Sequence, residues 1–237
     1  MQLELFSSRE VFLAVGAFEI RWYGIMYVLA FGLAWVLLPS LLRYRGLAAS
    51  REQRLEILTY AFAGVLLGGR LGFVLLYEPG YFLAQPMAVL LLQQGGMASH
   101  GGFIGVGIAL WLVSLRRHIH YWALLDVVVV LAALGLALGR VGNIINQELF
   151  VTLISQWFAV GKNLFVAGLC YWYLRRGAIR SGAVVGVFCI AYSCLRFVDE
   201  LLRVQHYELV LGLTRGQWYT IPLLLAGLWL FLRREPN

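Results

Sequence analysis

The chain has 237 residues, of which 61% are hydrophobic and only 13% charged, and its mean hydropathy is +0.79. Soluble domains are closer to half apolar and a quarter charged, so this composition excludes an ordinary soluble domain and predicts a membrane protein. The net charge of +7 would suit nucleic-acid binding, but the positions of the basic residues favour a topological explanation. Cys170, Cys189 and Cys194 lie in apolar runs without metal-ligand spacing, which predicts free buried thiols and neither a zinc site nor disulfides.

Seven apolar stretches are long enough to cross the hydrocarbon core as helices, which takes about 20 residues each. We predict an all-α polytopic membrane protein with seven transmembrane helices at 22–42, 55–77, 100–115, 122–139, 153–174, 182–203 and 217–232. An apolar piece at 11–18 precedes the first helix and is too short to span. Residues 81–94 form another short piece, which we expect in or near the membrane interface.

Basic residues concentrate in alternate loops, after the first, third, fifth and seventh predicted helices. They are Arg43, Arg45, Arg51, Arg54, Arg116, Arg117, Arg175, Arg176, Arg180, Arg233 and Arg234. Loops rich in arginine stay in the cytoplasm, so the pattern predicts a cytoplasmic C-terminus and a periplasmic N-terminus.

Glycines recur four residues apart within four of the predicted helices. They are Gly64, Gly68 and Gly72, then Gly101 and Gly105, Gly135 and Gly139, and Gly182 and Gly186. Small residues at this spacing let helices approach closely in lipid, so close packing is the preferred interpretation for most of them.

Polar side chains collect at the outer ends of five predicted helices, where a charge is costly and usually marks a site. They are Tyr23 on the first helix, Arg70 on the second, Ser99 and His100 opening the third, Arg140, Asn143, Asn146 and Glu148 from the end of the fourth onward, and Tyr192, Arg196 and Glu200 on the sixth. The last three are spaced four apart, which puts them on one helix face. Arg140 is predicted to end its helix.

Three arginines and a histidine at one depth predict a site for an anionic phospholipid headgroup, because guanidinium binds phosphate through two parallel hydrogen bonds. Four glycines near His100 would let backbone approach that headgroup: Gly95, Gly96, Gly101 and Gly102. Structural alternatives stay open. Arg196 and Glu200 could form an ion pair within one helix, and the two asparagines could cap a helix end.

Five segments resemble, in order, the bacterial prolipoprotein diacylglyceryl transferases. They are RWYGIMY at 21–27, GGRLGFVLLY at 68–77, GGMASHGGFIGV at 95–106, GRVGNIINQEL at 139–149 and SCLRFVDELLR at 193–203. The resemblance implies a seven-helix, multi-pass enzyme of the bacterial inner membrane. It would move the diacylglyceryl group of phosphatidylglycerol to the lipobox cysteine thiol of a prelipoprotein and release glycerol phosphate. Its partners would be phosphatidylglycerol, the prelipoprotein signal peptide and membrane lipid, with no cofactor, metal or nucleic acid.

The same resemblance assigns catalysis to His100, Arg140 and Arg196. His100 is the candidate to accept the thiol proton, since imidazole exchanges protons near neutral pH, and a purely orienting role is the alternative. The two arginines would stabilise charge on the departing phosphate. The remaining candidates would bind the lipid: Tyr23, Arg70, Ser99, Gly101, Gly102, Asn143, Asn146, Glu148, Tyr192 and Glu200.

Two departures from the family pattern lie near the fifth predicted helix. Only a few residues follow Phe150 before that helix, so we expect one domain over 1–237 that lacks the family's large periplasmic head insertion after residue 150. The segment LISQWFA at 153–159 keeps only Ser155 and Gln156 of the family's HPSQLYE. Two alternative functions therefore stay open: a specialised paralogue using the same donor with a different acceptor, and a non-catalytic phospholipid-binding membrane subunit.

Overall fold

The computed structural model describes residues 3–8, 11–15, 18–91, 95–146, 153–177, 179–202, 209 and 211–233. Over these residues the chain forms seven long helices and one short one. They are α1 (Trp22–Tyr44), α2 (Arg51–Leu76), α3 (Pro79–Ala84), α4 (Ser99–Arg117), α5 (Tyr121–Asn146), α6 (Leu153–Leu174), α7 (Ala183–Leu201) and α8 (Arg215–Leu232). A 3-10 turn at Pro86–Leu90 follows α3. Each of the seven predicted helices is present.

The described helices make the chain a multi-pass membrane protein. Four of them, α1, α2, α4 and α5, are long and apolar enough to cross a membrane. Helices α6 and α7 carry buried polar and charged side chains, and α8 is a shorter apolar helix. The count of seven spans and the orientation of the termini stay predictions.

The N-terminal residues form a three-stranded antiparallel sheet, a small addition to the predicted all-α fold that the sequence did not indicate. Strands β1 (Leu3–Ser8), β2 (Val11–Val15) and β3 (Phe18–Arg21) pair in chain order. Strand β2 lies in the short apolar piece predicted before the first helix. Its sequence, VFLAV, is rich in the branched and aromatic residues that favour strands. The rings of Phe12 and Trp22 meet edge to face at 4.9 Å and join the sheet to the start of α1.

Helix α5 continues to Asn146, whereas the sequence predicted its end at residue 139. Glycine costs a helix only about 1 kcal/mol relative to alanine, and this segment contains no proline to stop it. The glycine at 142 is also used in packing, because a Cβ there would lie 3.2 Å from Cγ of Met26 on α1. Arg140 and the asparagines therefore project from the last two turns of α5 rather than following its end.

The chain divides into two compact units, Met1–Gly46 with Asp126–Asn237, and Leu47–Leu125. In the second unit, α2 and α4 pack backbone to backbone through glycines. A Cβ at Gly64 would lie 2.6 Å from the carbonyl oxygen of Gly105, and one at Gly72 would lie 2.7 Å from Cα of Gly101. Close packing is thus confirmed for the glycines of these two helices.

We expect Gly68→Ala to destabilise the protein by about 1–3 kcal/mol, the usual cost of overpacking. The added Cβ would lie 2.7 Å from Cα of Gly105, which is backbone and cannot move aside alone. The free energy of unfolding can be measured by titrating SDS into detergent micelles. Gly107→Ala is the matched control on α4, because its Cβ would meet the Tyr121 hydroxyl at an ordinary 3.6 Å. Equal stability of the two variants would contradict the packing interpretation.

In the first unit, α7 and α8 also meet through glycine. A Cβ at Gly227 would lie 2.7 Å from Cβ of Cys189, and one at Gly186 would lie 3.0 Å from the Gly227 carbonyl oxygen. Gly182 differs from its predicted role, because it caps the N-terminus of α7 with φ at +87°. All three cysteines are free, as predicted, although Cys194 is exposed rather than buried.

Asp126, which the sequence did not single out, is completely buried in α5 and joins three parts of the first unit. Its Oδ2 accepts hydrogen bonds from Nε of Arg45 at 3.1 Å and from the Gly182 amide at 2.9 Å, and its Oδ1 accepts from the Val185 amide at 3.1 Å. Arg45 also donates to the Ser181 hydroxyl at 2.8 Å. The carboxylate therefore caps the first turn of α7, whose amides lack partners within their own helix.

Candidate active site

Arg70 lies inside α2 and is only 4% exposed. Its guanidinium donates hydrogen bonds to backbone carbonyl oxygens. The acceptors are the carbonyl oxygens of Val89 at 3.0 Å from Nε, Ala88 and Leu91 at 2.7 and 3.2 Å from Nη2, Gly96 at 3.2 Å from Nη1, and Gly95, also from Nη1. The ring of Phe82 lies 5.1 Å from the guanidinium carbon. A guanidinium has five N–H donors, and all five are used. These contacts give Arg70 a structural role in the fold, and its assignment as a lipid ligand stays a prediction.

The segment that Arg70 orders leads directly to His100. Gly95 and Gly96 have φ angles of +79° and +81°, which favour glycine, and the Ala98 amide donates to the Gly69 carbonyl at 2.9 Å. Helix α4 then begins at Ser99. Ser99 and His100 are both exposed in its first turn, where free amides carry partial positive charge. The fold thus presents both predicted side chains at an accessible helix end.

The two glycines after His100 differ in their surroundings. Gly101 is buried, and a Cβ there would lie 2.8 Å from Cα of Gly72 on α2. Packing between helices therefore accounts for a glycine at position 101, and its role in lipid binding stays a prediction. Gly102 is half-buried and a Cβ there would meet only the Val65 carbonyl oxygen, at 3.8 Å.

We expect Arg70→Lys to lower the free energy of unfolding by about 2 kcal/mol. Lysine keeps the charge but has three donors instead of five, so two buried carbonyls lose a hydrogen bond worth about 1 kcal/mol each. Thermal unfolding in detergent would measure the loss. Arg51→Lys, at the exposed start of the same helix, is the control and should change nothing. A substitution at Arg70 as harmless as the one at Arg51 would argue against a structural role.

In the first unit, Arg140 and Asn143 lie on successive turns of α5, three residues apart. Asn143 and Asn146 are buried and Arg140 is half-buried. Among the described residues, no hydrogen bond or ion pair engages the Arg140 guanidinium. Arg140 is therefore an available cation, in contrast to Arg70.

Two further predicted site residues are Tyr23, which lies beside α5 in the fold, and Glu148, which follows α5 in the sequence. Tyr23 is half-buried at the start of α1, and a Cβ at Gly142 would lie 3.5 Å from its ring. Its ring centroid is 5.8 Å from that of Tyr27. Tyr23 thus lies beside the turn of α5 that contains Asn143. Glu148 lies outside the described residues.

On α7, Arg196 is fixed by two carboxylates of its own helix. Its Nη1 lies 2.7 Å from Oδ2 of Asp199 and its Nη2 lies 2.8 Å from Oε2 of Glu200. The ion pair left open as an alternative is thus confirmed for Arg196 and Glu200. The contact with Asp199 is a hydrogen bond and the contact with Glu200 is an ion pair, so at least three donors have no partner among the described residues. The guanidinium is thus both oriented and able to bind an anion.

Residues of α6 complete this group. Lys162 lies 4.0 Å from Asp199 and 4.5 Å from the centroid of the Tyr192 ring. We term Lys162, Tyr192, Arg196, Asp199 and Glu200 the α6–α7 polar cluster. The sequence placed three of its members in the site and missed Lys162 and Asp199. Both could have been found from the sequence, because a charged residue inside an apolar helix is costly and usually marks a functional site.

The available chemistry differs between the two units. The first unit offers Arg140 and a preoriented Arg196, both suited to binding phosphate oxygens. The second offers the exposed imidazole of His100, which can accept or donate a proton. The groups of the first unit suit the departure of an anionic phosphate, and the imidazole of the second suits a proton transfer.

Comparison with known proteins gives the family. The family model described as prolipoprotein diacylglyceryl transferase matches residues 10–233. A phosphatidylglycerol–prolipoprotein diacylglyceryl transferase of Solidesulfovibrio magneticus is 35% identical over 251 residues, covering 96% of this chain and 95% of the relative. Proteins of the same name from Azoarcus sp. strain BH72 and Dechloromonas aromatica are 37% and 36% identical, covering 92% and 90% of both chains. The chain therefore belongs to the prolipoprotein diacylglyceryl transferase family.

Proposed function

We propose that this chain transfers the diacylglyceryl group of phosphatidylglycerol to the lipobox cysteine thiol of a prelipoprotein and releases glycerol phosphate. The observation that carries the proposal is its match, over at least 90% of both chains, to relatives that bear the corresponding name. The two arginines of the first unit add physical support, because both have guanidinium donors available for a phosphate.

The reaction forms one C–S bond and breaks one C–O bond. The substrate thiol gives its proton to the imidazole of His100, and the sulfur attacks the glycerol carbon that carries the phosphate ester. That C–O bond breaks, and its electrons stay on the departing phosphate oxygen. Arg140 and Arg196 stabilise the charge that develops there, as fixed hydrogen-bond donors do in other group transfers. The nucleophile belongs to the substrate, so the cysteines of this chain take no part.

The remaining predicted residues surround the donor lipid. Tyr23, Asn143, Asn146 and Glu148 would orient the headgroup beside Arg140, and Tyr192 and Glu200 would do so beside Arg196. Ser99 and Gly102 would line the approach to His100. A polar side chain at the membrane boundary can hold a headgroup by hydrogen bonds while the acyl chains stay in lipid.

The enzyme would work at the periplasmic face of the bacterial inner membrane. Seven spans, with the N-terminus in the periplasm and the C-terminus in the cytoplasm, follow from the arginine-rich loops. The whole chain would act as one transferase domain without a large head after residue 150. Fusing a reporter enzyme to each terminus, one active only in the periplasm and one only in the cytoplasm, tests this orientation.

A reconstituted reaction tests the proposed function. Purified protein is mixed with phosphatidylglycerol labelled in its acyl chains and in its terminal glycerol, and with a lipobox peptide. The expected result is label on the peptide and equimolar release of glycerol phosphate. A peptide with serine in place of cysteine is the control and should stay unlabelled. Failure of wild-type protein to modify the peptide, beside an active relative, would overturn the proposal.

A further inference from the structure

Lys162 is the only lysine in the chain and is buried where a charge is least expected. Lys162 is only 5% exposed and is the tenth residue of α6. At 1.5 Å per residue it lies roughly 14 Å from the start of the helix, close to half the depth of a hydrocarbon core of about 30 Å. A charge so placed is costly and is expected to serve a function.

The contacts of Lys162 lead to Arg196 through one carboxylate. Oδ2 of Asp199 lies 4.0 Å from the lysine Nζ and 2.7 Å from Nη1 of Arg196, and the Ser155 hydroxyl donates to Oδ1 at 3.2 Å. Lys162 also donates to Oδ1 of Asn163 at 3.4 Å. Asp199 is thus shared between the two cations, and Ser155 fixes its remaining oxygen.

The net charge around Arg196 affects how readily an anionic phosphate can approach it. Arg196 with its two carboxylates alone would form a group with net charge −1, which opposes the approach of an anionic phosphate. Counted over the described residues, Lys162 brings the α6–α7 polar cluster to neutrality. Charges interact strongly through low-dielectric surroundings, so the presence of this cation changes the potential felt by a phosphate at Arg196.

We infer that Lys162 is a positioning residue, which acts through Asp199 to neutralise the carboxylates around Arg196 and so sets the affinity for an anionic phospholipid donor. This inference rests on the proposed function for the identity of the donor. It assigns Lys162 no contact with the reacting atoms. The chemical class of ligand is a phospholipid with a net negative headgroup.

Lys162→Met keeps the length of the side chain and removes its charge. The expected result is a rise of about tenfold in KM for phosphatidylglycerol with a smaller fall in kcat, because the phosphate already carries a full charge when the donor binds. Lys162→Arg, which keeps the charge, should stay near wild type. The double variant Lys162→Met with Asp199→Asn returns the cluster to neutrality and should recover most of the lost affinity. A purely structural lysine would give no such recovery.

A binding measurement separates this inference from the transfer reaction. Native mass spectrometry of the protein with phosphatidylglycerol or with zwitterionic phosphatidylcholine reports lipid affinity whether or not transfer occurs. Lys162→Met should weaken phosphatidylglycerol binding about tenfold and leave phosphatidylcholine binding unchanged. Unchanged binding of both lipids, or an equal loss for both, would overturn the role of Lys162. An inactive wild-type protein that still shows the charge-selective loss would overturn the proposed function alone.

Discussion

Replacing Arg140 with alanine is expected to lower the rate of diacylglyceryl transfer by about 100- to 1,000-fold, the usual cost of removing one fixed donor to developing charge. The same change should leave the thermal midpoint of unfolding unchanged. Arg140 is half-buried on α5 and makes no hydrogen bond or ion pair with the described residues, so the fold loses no contact of this kind. Glycerol phosphate release and thermal unfolding in detergent measure the two effects.

Arg140→Lys distinguishes charge from geometry. Lysine keeps the positive charge but lacks the planar pair of donors that matches a phosphate, so we expect an intermediate activity. Arg70→Lys is the opposite control, with lower stability and smaller direct consequences for the chemistry. Wild-type activity in Arg140→Ala would remove Arg140 from the site. A fall in stability as large as the fall in activity would mean that Arg140 acts through the fold.

The contrast between Arg70 and Arg140 marks the limit of prediction from sequence. Both arginines stand beside glycines in the outer halves of predicted helices, and both were assigned to the lipid. They differ in their hydrogen-bond partners, which for Arg70 are carbonyls 18 to 26 residues away. Where a distant loop folds back onto a helix is a tertiary property that a local pattern does not contain. Sequence therefore found the arginines but not which one is free to bind a ligand.

Helix positions were predictable for a simpler reason. Long apolar runs separated by arginine-rich loops carry a strong signal, and the helix Leu153–Leu174 has the predicted bounds. The N-terminal sheet was missed because short apolar runs fit strand and helix equally well. The extension of α5 was missed because a glycine near polar residues commonly ends a helix, whereas here Gly142 packs against α1.

Buried ionic groups were the other features that sequence analysis did not identify. Lys162 and Asp126 both lie inside apolar helices, and each is balanced by partners from other parts of the first unit. Their functions differ, because Lys162 belongs to the polar cluster around Arg196 and Asp126 caps α7. Only the residues in contact with a buried charge show whether it affects a binding site or stabilises the fold.

Asp126→Leu is expected to lower the free energy of unfolding by about 3–5 kcal/mol, the cost of breaking a buried ion pair by removing one partner. Leucine fills the space but leaves Arg45 largely buried without its carboxylate, and leaves the amides of Gly182 and Val185 without an acceptor. Titration with SDS from detergent micelles measures the loss.

The double variant Asp126→Leu with Arg45→Met separates the two parts of that loss. Removing the orphaned guanidinium should recover most of the stability, since apolar replacement of a buried ion pair is often neutral. The remaining deficit should be about 1 kcal/mol, the typical value of a lost helix cap, because the first-turn amides of α7 still lack their acceptor. A double variant no more stable than Asp126→Leu alone would show that capping, and not the Arg45 pair, is the main contribution of Asp126. The size of the recovery therefore measures how much of the stability contributed by Asp126 comes from its ion pair with Arg45 and how much from capping α7.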